Sequence, residues 1–467
     1  MLFNSLHFLL FLPLVVALYY LIPHRFRWMF IFIASCYFYM VFVPYYILIL
    51  FAIIIIDYLA ALTIERMQGK MRTFYLVLSI CANVGLLAFF KYFSFLNDNL
   101  VMAFSWLGHE FHPIRLDIVL PIGLSFHTFQ SMSYTIEVYR GKQKAETHLG
   151  YFANYVLFFP QMVAGPIERY DRLGEELKQE RKLSYDNLVH GFRLVLFGLF
   201  VKMTIADNIA AYVDDIYSAP EECNSWQVLG AIFLFSFQIY ADFYGYSTIA
   251  VGSARMLGIK IMDNFRTPYL SRSIAEFWSR WHISLSTWFR DYLYIPLGGN
   301  RVSIPRWCFN IMLVFMVSGL WHGANWTFVI WGALHGIFIL REKLSPKIFD
   351  AKAEINPALH AVLAIRVFFL TSLMWVFFRA ESLPKAIHIF KCAFRNFSVP
   401  TADVHFISAT VAAIAMVICD LSLYRSRADQ LLGSMKFQYR WAIYTILIFC
   451  LMALSGTQKL TFIYFQF

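Results

Sequence analysis

Three histidines lie in apolar stretches of the sequence, where an ionisable side chain is costly and calls for a functional reason. His322 stands in Ser318-Gly319-Leu320-Trp321-His322-Gly323-Ala324-Asn325-Trp326. The glycine after it would let a substrate chain come close. A histidine near neutral pKa can take a proton from an attacking hydroxyl, so a general base is one reading. A histidine satisfied by a neighbouring carbonyl in a packed helix turn is the other, and the residues alone leave both open. His282, in Trp278-Ser279-Arg280-Trp281-His282-Ile283-Ser284-Leu285-Ser286, reads first as an interfacial histidine near lipid headgroups and second as a site residue. His127, in Pro121-Ile122-Gly123-Leu124-Ser125-Phe126-His127, reads as structural.

Other chemistries lack their motifs. There is no HExxH or DxD spacing for a metal, no Walker or Rossmann glycine loop, and no GxSxG elbow for a serine hydrolase. The seven cysteines are scattered and none forms a CxxC pair, which argues against a structural disulfide or zinc site. What remains is one or two histidines with arginines nearby. Arg266, Arg280 and Arg290 flank or lie in the His282 segment, and guanidinium groups would draw the phosphates of an anionic donor. The positive-inside rule by itself would also place arginines there.

The elements that position these residues belong in lipid. Of 467 residues, 60% are hydrophobic and only 15% charged, against roughly 25% charged in soluble domains. Apolar runs approaching the ~20 residues of a bilayer crossing recur at 8–21, 47–62, 74–90, 228–240, 407–418 and 441–454. An all-α integral membrane protein with about eleven or twelve crossings is predicted, as one domain over 1–467, because no repeat, low-complexity stretch or linker interrupts it. The first 22 residues read as an uncleaved first span. The net charge of +10 is distributed between apolar runs, so it reads as topological and lipid-facing, not as a nucleic-acid surface.

Basic loops follow alternate runs, and residues 205–225 carry five carboxylates with no Lys or Arg. That stretch is predicted to be an outward loop, and both termini are predicted to be extracytoplasmic. Residues 379–405 disagree, since parity puts them outside although they carry Arg379, Lys385, Lys391 and Arg395. Three segments depart from simple spans. Residues 158–166 hold two prolines and a glycine and read as re-entrant. Residues 308–340 are too short for two crossings and predict an intramembrane hairpin with His322 at its apex. In 269–294, Ile274, Phe277, Trp278, Trp281, Leu285 and Trp288 recur at helical spacing, predicting an amphipathic helix at the cytoplasmic interface.

At these residues the sequence resembles the membrane-bound O-acyltransferase family, and within it the bacterial branch that holds the alginate O-acetyltransferase membrane subunit. The resemblance is carried by Met1-Leu2-Phe3-Asn4-Ser5, Pro121-Ile122-Gly123-Leu124-Ser125-Phe126, Ser133-Tyr134-Thr135-Ile136-Glu137-Val138-Tyr139-Arg140 and Phe159-Pro160-Gln161-Met162-Val163-Ala164-Gly165-Pro166-Ile167. It continues through Asn264-Phe265-Arg266-Thr267-Pro268-Tyr269, Phe277 to Ser286, Tyr294-Ile295-Pro296-Leu297-Gly298-Gly299-Asn300-Arg301 and Gly319-Leu320-Trp321-His322-Gly323. It implies that His322 is the family's catalytic histidine and His282 its second polar site residue. It also implies a bacterial inner-membrane location, no bound cofactor, and a cytoplasmic thioester donor, acetyl-CoA in this branch. Many relatives have phenylalanine where this sequence has His127, which argues against a family role for that histidine.

The segment 458–467 ends in Phe462-Ile463-Tyr464-Phe465-Gln466-Phe467 and is similar to a terminal aromatic motif of the branch, in which the tyrosine relays the acyl group. An aromatic interfacial anchor is the plainer reading. The implied function is acetyl transfer toward an extracytoplasmic polysaccharide through an SGNH-type acetyltransferase partner. D-alanyl transfer from a carrier protein to teichoic acid is the competing enzyme reading. A proton-coupled transporter is the competing non-enzyme reading, against which the absence of matched repeats counts.

Overall fold

A peptide group in hydrocarbon has no water to bond, so a spanning segment must satisfy its own N–H and C=O groups. The computed structural model describes residues 1–114, 116, 121–345, 356–398, 404–455 and 462–465, and among them it builds helices and no strand. Against the eleven or twelve crossings expected, eight helical elements among these residues are long and apolar enough to cross a bilayer. Some runs merge into continuous elements, such as Gly69–Trp106 and Tyr185–Ser218. Others, such as Leu6–Leu21, are apolar but shorter.

Where one domain is expected, the chain divides into two compact units: Met1–Asn187 with Ala254–Ile261, and Leu188–Ser253 with Met262–Phe467. Two of the three boundaries, at 187/188 and 253/254, fall inside helices, and the third, at 261/262, falls in a non-helical stretch. The first unit contains α1 (Leu6–Leu21), α2 (His24–Met40), α3 (Ile47–Arg66), α4 (Gly69–Leu87), α5 (Phe93–Trp106), α6 (Leu124–Tyr139), α7 (Leu149–Leu157) and α8 (Tyr170–Lys178). Residues 158–166 are non-helical and buried, and Ser35 Oγ accepts the Phe159 N–H at 3.1 Å. His127 donates from Nδ1 to the Val156 carbonyl at 2.9 Å, in keeping with a structural role.

The second unit begins in α9 (Tyr185–Leu199), which runs through a π-helical stretch, Phe200–Ala206, into α10 (Asp207–Ser218). The 32-residue α11 (Ser225–Met256) follows. α9 and α11 run antiparallel at backbone contact: a Cβ on Gly198 would lie 2.7 Å from the Gly245 carbonyl oxygen, and one on Gly252 would lie 2.7 Å from that of Gly191. Small residues at such crossings let helices approach closely in lipid. Residues 205–225, expected as an outward loop, are largely helical. Most of them form α10, and Asp207 is drawn inward to Lys202 at 2.6 Å.

The segment 269–294 is not one helix. α12 (Ile274–Arg280) and α13 (Ile283–Phe289) are separated by His282, whose φ of 43° is left-handed. The apolar stripe predicted to face the interface is buried in protein, with Ile274 and Phe277 fully covered. A stripe at helical spacing marks a buried face without saying whether lipid or protein covers it. α14 (Ile304–His322) and α15 (Trp326–Leu344) form an antiparallel pair, followed by α16 (Pro357–Arg379), α17 (Leu383–Cys392), α18 (Val404–Ser422), α19 (Ala428–Ser434) and α20 (Phe437–Leu454). In the discordant 379–405 segment, Arg379 pairs with Asp214 at 2.8 Å and Lys385 with Glu381 at 3.1 Å. A count of basic residues alone overstates the positive charge there. Residues 399–403 lie outside the described residues.

Candidate active site

The α14–α15 turn is sharp because glycines line it. A Cβ on Gly319 would run into the Phe328 carbonyl, one on Gly332 into the Phe315 carbonyl, and one on Gly323 into the Phe328 ring. Asn325 caps α15, its Oδ1 accepting the Thr327 N–H at 3.0 Å while its Nδ2 donates to the Glu381 carbonyl at 2.7 Å. These constraints fix His322, the last residue of α14, inside an aromatic cage. Its ring centroid lies 4.9 Å from Trp321, 5.2 Å from Trp331 and 5.3 Å from Phe378.

His282 is brought to the same region by the break between α12 and α13. The start of α12 is held from α15: Glu342 accepts the Ile274 and Ala275 N–H groups at 2.9 and 3.1 Å and pairs with Arg366 at 3.0 Å. Asn264 holds the break, its carbonyl accepting the Ile283 N–H at 3.0 Å. Thr267 and His282 are the two non-glycine positive-φ residues described. Such conformations cost of order 1–3 kcal/mol and cluster at functional sites. The His282 ring is fully buried, 4.7 Å from Phe243 and 6.1 Å from Trp321. Burial disfavours the imidazolium and pushes its pKa down to about 3, so the ring is neutral at ordinary pH.

Tyr464 completes the cluster. Its ring lies 5.7 Å from His322, 4.7 Å from Phe243 and 6.1 Å from Phe378. The buried Tyr464 hydroxyl has no hydrogen-bond partner among the described residues. Burial, with Tyr269 and Asp242 adding to it, raises the Tyr464 pKa, so the phenol is neutral and needs a base to act as a nucleophile. Of the expected tail 458–467, residues 458–461, 466 and 467 lie outside the described residues.

The three arginines are not gathered in one place. Arg290 borders a cavity of about 360 Å³ whose walls include Trp278, Leu285, Phe289, Ser318 and Lys343. Ser318 stands about one turn before His322 on α14, so the cavity approaches the histidine along that helix. Arg280 is engaged by Glu276 at 2.7 Å and lies over the Tyr424 ring, which gives it a local structural role. Arg266 is exposed and does not line this cavity. Among the described residues no three His, Cys, Asp or Glu side chains gather to hold a metal.

Sequence reasoning missed His335. Trp278 donates from its indole N–H to His335 Nδ1 at 3.1 Å, and the His335 Nε2 is buried with no partner among the described residues. Trp331 meets both imidazoles edge to face, 5.2 Å from His322 and 5.0 Å from His335. The available signal was the histidine itself, in the apolar Trp331-Gly332-Ala333-Leu334-His335-Gly336.

Residues 66–378 match the MBOAT, membrane-bound O-acyltransferase family. The chain is 39% identical over 425 residues to a probable alginate O-acetylase of Azotobacter vinelandii, covering 90% of this chain and 83% of that protein. It is 35% identical over 387 residues to a peptidoglycan O-acetyltransferase of Helicobacter pylori, covering 77% and 72%. It is 33% identical over 262 residues to a teichoic acid D-alanyltransferase of Streptococcus thermophilus, covering 50% and 61%.

Proposed function

Because the chain belongs to the membrane-bound O-acyltransferase family and is a multi-pass membrane O-acyltransferase, we propose that it moves acetyl groups from cytoplasmic acetyl-CoA, through Tyr464, to an extracytoplasmic SGNH-type partner that acetylates an alginate-like exopolysaccharide or a cell-wall glycan. The observation that carries the reading is the approach of the Tyr464 ring to His322, at 5.7 Å.

The donor's thioester arm enters the apolar cavity beside Arg290 and Lys343, where its phosphates remain at the basic rim. The Tyr464 phenol oxygen attacks the thioester carbonyl. His322 takes the phenolic proton as the new C–O bond forms, the C–S bond breaks, and the departing thiolate receives that proton. His282, held neutral and dry, shapes the opposite wall through Phe243. The product is an aryl ester. A serine hydroxyl of the partner attacks it, the acyl–oxygen bond to tyrosine breaks, and the phenolate recovers a proton from the serine. Phenolate is a better leaving group than an alkoxide, so onward transfer is favoured.

The test is incubation of the purified protein in proteoliposomes with labelled acetyl-CoA, followed by mass spectrometry of the peptide carrying Tyr464. Label on Tyr464 is expected in the parent and absent in Tyr464→Phe. His322→Ala should label about 10²–10⁴-fold more slowly. Full polymer acetylation by Tyr464→Phe would overturn the relay. Transfer from a D-alanyl carrier protein, with none from acetyl-CoA, would move the assignment to D-alanylation.

A further inference from the structure

The residues that hold Tyr464 in place lie outside the aromatic cage. The close glycine crossing of α9 and α11 brings the π-helical turn after α9 level with the middle of α11. There Lys202 Nζ lies 2.6 Å from carboxylate oxygens of both Asp207 and Asp242. The lysine side chain is 2% exposed and that of Asp242 4%. One cation between two carboxylates at this depth is expensive and persists only where every member is engaged. Asp242 has a second partner: its Oδ2 accepts the Ile463 backbone N–H at 2.7 Å, from 221 positions away in the chain. Phe462 packs on Tyr246 at 4.7 Å and Phe243 at 5.6 Å, and Lys202 lies over the Tyr246 ring.

We propose that Asp242 is a positioning residue for acyl transfer: clamped by Lys202, it fixes the Ile463 amide and thereby seats the Tyr464 phenol against His322. This rests on the reading of Tyr464 as the acyl acceptor. The bond is to a backbone N–H one residue before the tyrosine, so it fixes the register of the tail as well as its presence. A one-residue slip would replace Tyr464 with Ile463 or Phe465 at His322. Lys202 serves as the counter-ion that makes a charged acceptor tolerable at this depth, and Asp207 keeps Lys202 compensated when Asp242 is altered.

The chemistry makes Asp242→Asn informative. A carboxylate presents two acceptor oxygens, one to Lys202 and one to Ile463. The amide of asparagine has one, and its NH₂ must face either the ammonium or the Ile463 N–H, so one contact is lost in either orientation. Lys202 retains Asp207, so the buried charge stays paired and the fold survives. Asp242→Ala removes both contacts and serves as the second variant.

Three readouts are taken on the full chain in proteoliposomes. Hydrogen exchange resolved to the Ile463 amide reports the seat, pre-steady-state formation of acetyl-Tyr464 from acetyl-CoA reports transfer, and polymer acetylation with the partner present reports the whole reaction, the last with Tyr464→Phe run in parallel. The expected result is exchange at Ile463 accelerated at least about tenfold in both variants. Acyl-tyrosine formation should be slowed roughly 10²-fold, the scale of an ångström misplacement. The donor concentration for half-maximal rate should stay at the parent value, with rates expressed per folded molecule so that a loss of folded protein does not count as slower transfer. Unchanged exchange at Ile463 in both variants, with Tyr464→Phe still inactive, would overturn the positioning role and leave the relay intact. Accelerated exchange with parent-rate polymer acetylation, and an active Tyr464→Phe, would overturn the relay and with it any catalytic purpose for the seat.

Discussion

Gly332→Ala tests whether the α14–α15 crossing sets the catalytic geometry. The added Cβ would meet the Phe315 carbonyl carbon and oxygen, with the Met316 Cα close behind at 3.3 Å. These are backbone atoms of a packed helix and cannot rotate away. Real Cβ atoms keep at least 3.0 Å from such neighbours, so the pair must separate by roughly 1 Å to restore van der Waals distance. Overpacking of this kind costs about 1–3 kcal/mol. The displacement also reaches the chemistry, because Phe315 and His322 share α14 and the His322 cage includes Trp331, the residue before Gly332. A misplacement of about 1 Å lowers rates by roughly 10²-fold. The assay is acetyl-Tyr464 formation per folded molecule, alongside the thermal unfolding midpoint. Gly336→Ala is the internal control: its Cβ would meet the Met312 sulfur at 2.9 Å, the flexible end of a side chain that can yield. It should keep its rate within about threefold and lose less than about 1 kcal/mol. Gly332→Ala with the parent rate and unfolding midpoint, or an equal loss in Gly336→Ala, would refute the claim that backbone contact at this crossing positions His322.

Two further outcomes follow from the site. His282 has a folded-state pKa of about 3 against an ordinary 6.5, so the unfolded chain binds a proton that the folded chain refuses. Its contribution is fully present above pH 6.5 and is lost as pH falls toward 3, amounting to about 2 kcal/mol by pH 5. His282→Asn, which tolerates the left-handed φ, should therefore unfold with a shallower dependence on pH between 7 and 5 than the parent; identical slopes would remove the argument. Arg290→Gln should raise the acetyl-CoA concentration for half-maximal rate by up to roughly tenfold with the maximal rate unchanged, because an exposed guanidinium shared with Asp291 contributes modestly. Arg266→Gln, away from the cavity, should leave that concentration where it is.

The local and compositional parts of this protein were legible in its residues. Apolar run lengths require helices, since hydrocarbon offers the backbone no other partner. His322 could be singled out because an ionisable side chain beside glycine in an apolar stretch needs a reason to be there. Tyr464 entered through resemblance, and the fold brings it to His322. The break at His282 was hidden because a periodic stripe continues through it: a single residue at φ 43° interrupts the helix without altering the spacing of buried side chains. The glycines at 191, 198, 245 and 252 were in plain view, yet their pairing across two helices is a statement about which helices touch. Periodicity reports a face and not the surface opposite it.

The sequence by itself determined that the chain is helical, belongs in a membrane and carries histidines in apolar stretches, because those properties follow from composition and from neighbours along the chain. Only the tertiary structure decided that Lys202 is held by Asp207 and Asp242, that Asp242 holds an amide 221 positions away, and that Tyr464 rests against His322 while Arg280 is occupied by Glu276. Such pairings depend on distances between segments, and those distances are set by how closely helix backbones can approach, which is a property of the packed pair and of neither strand of sequence alone.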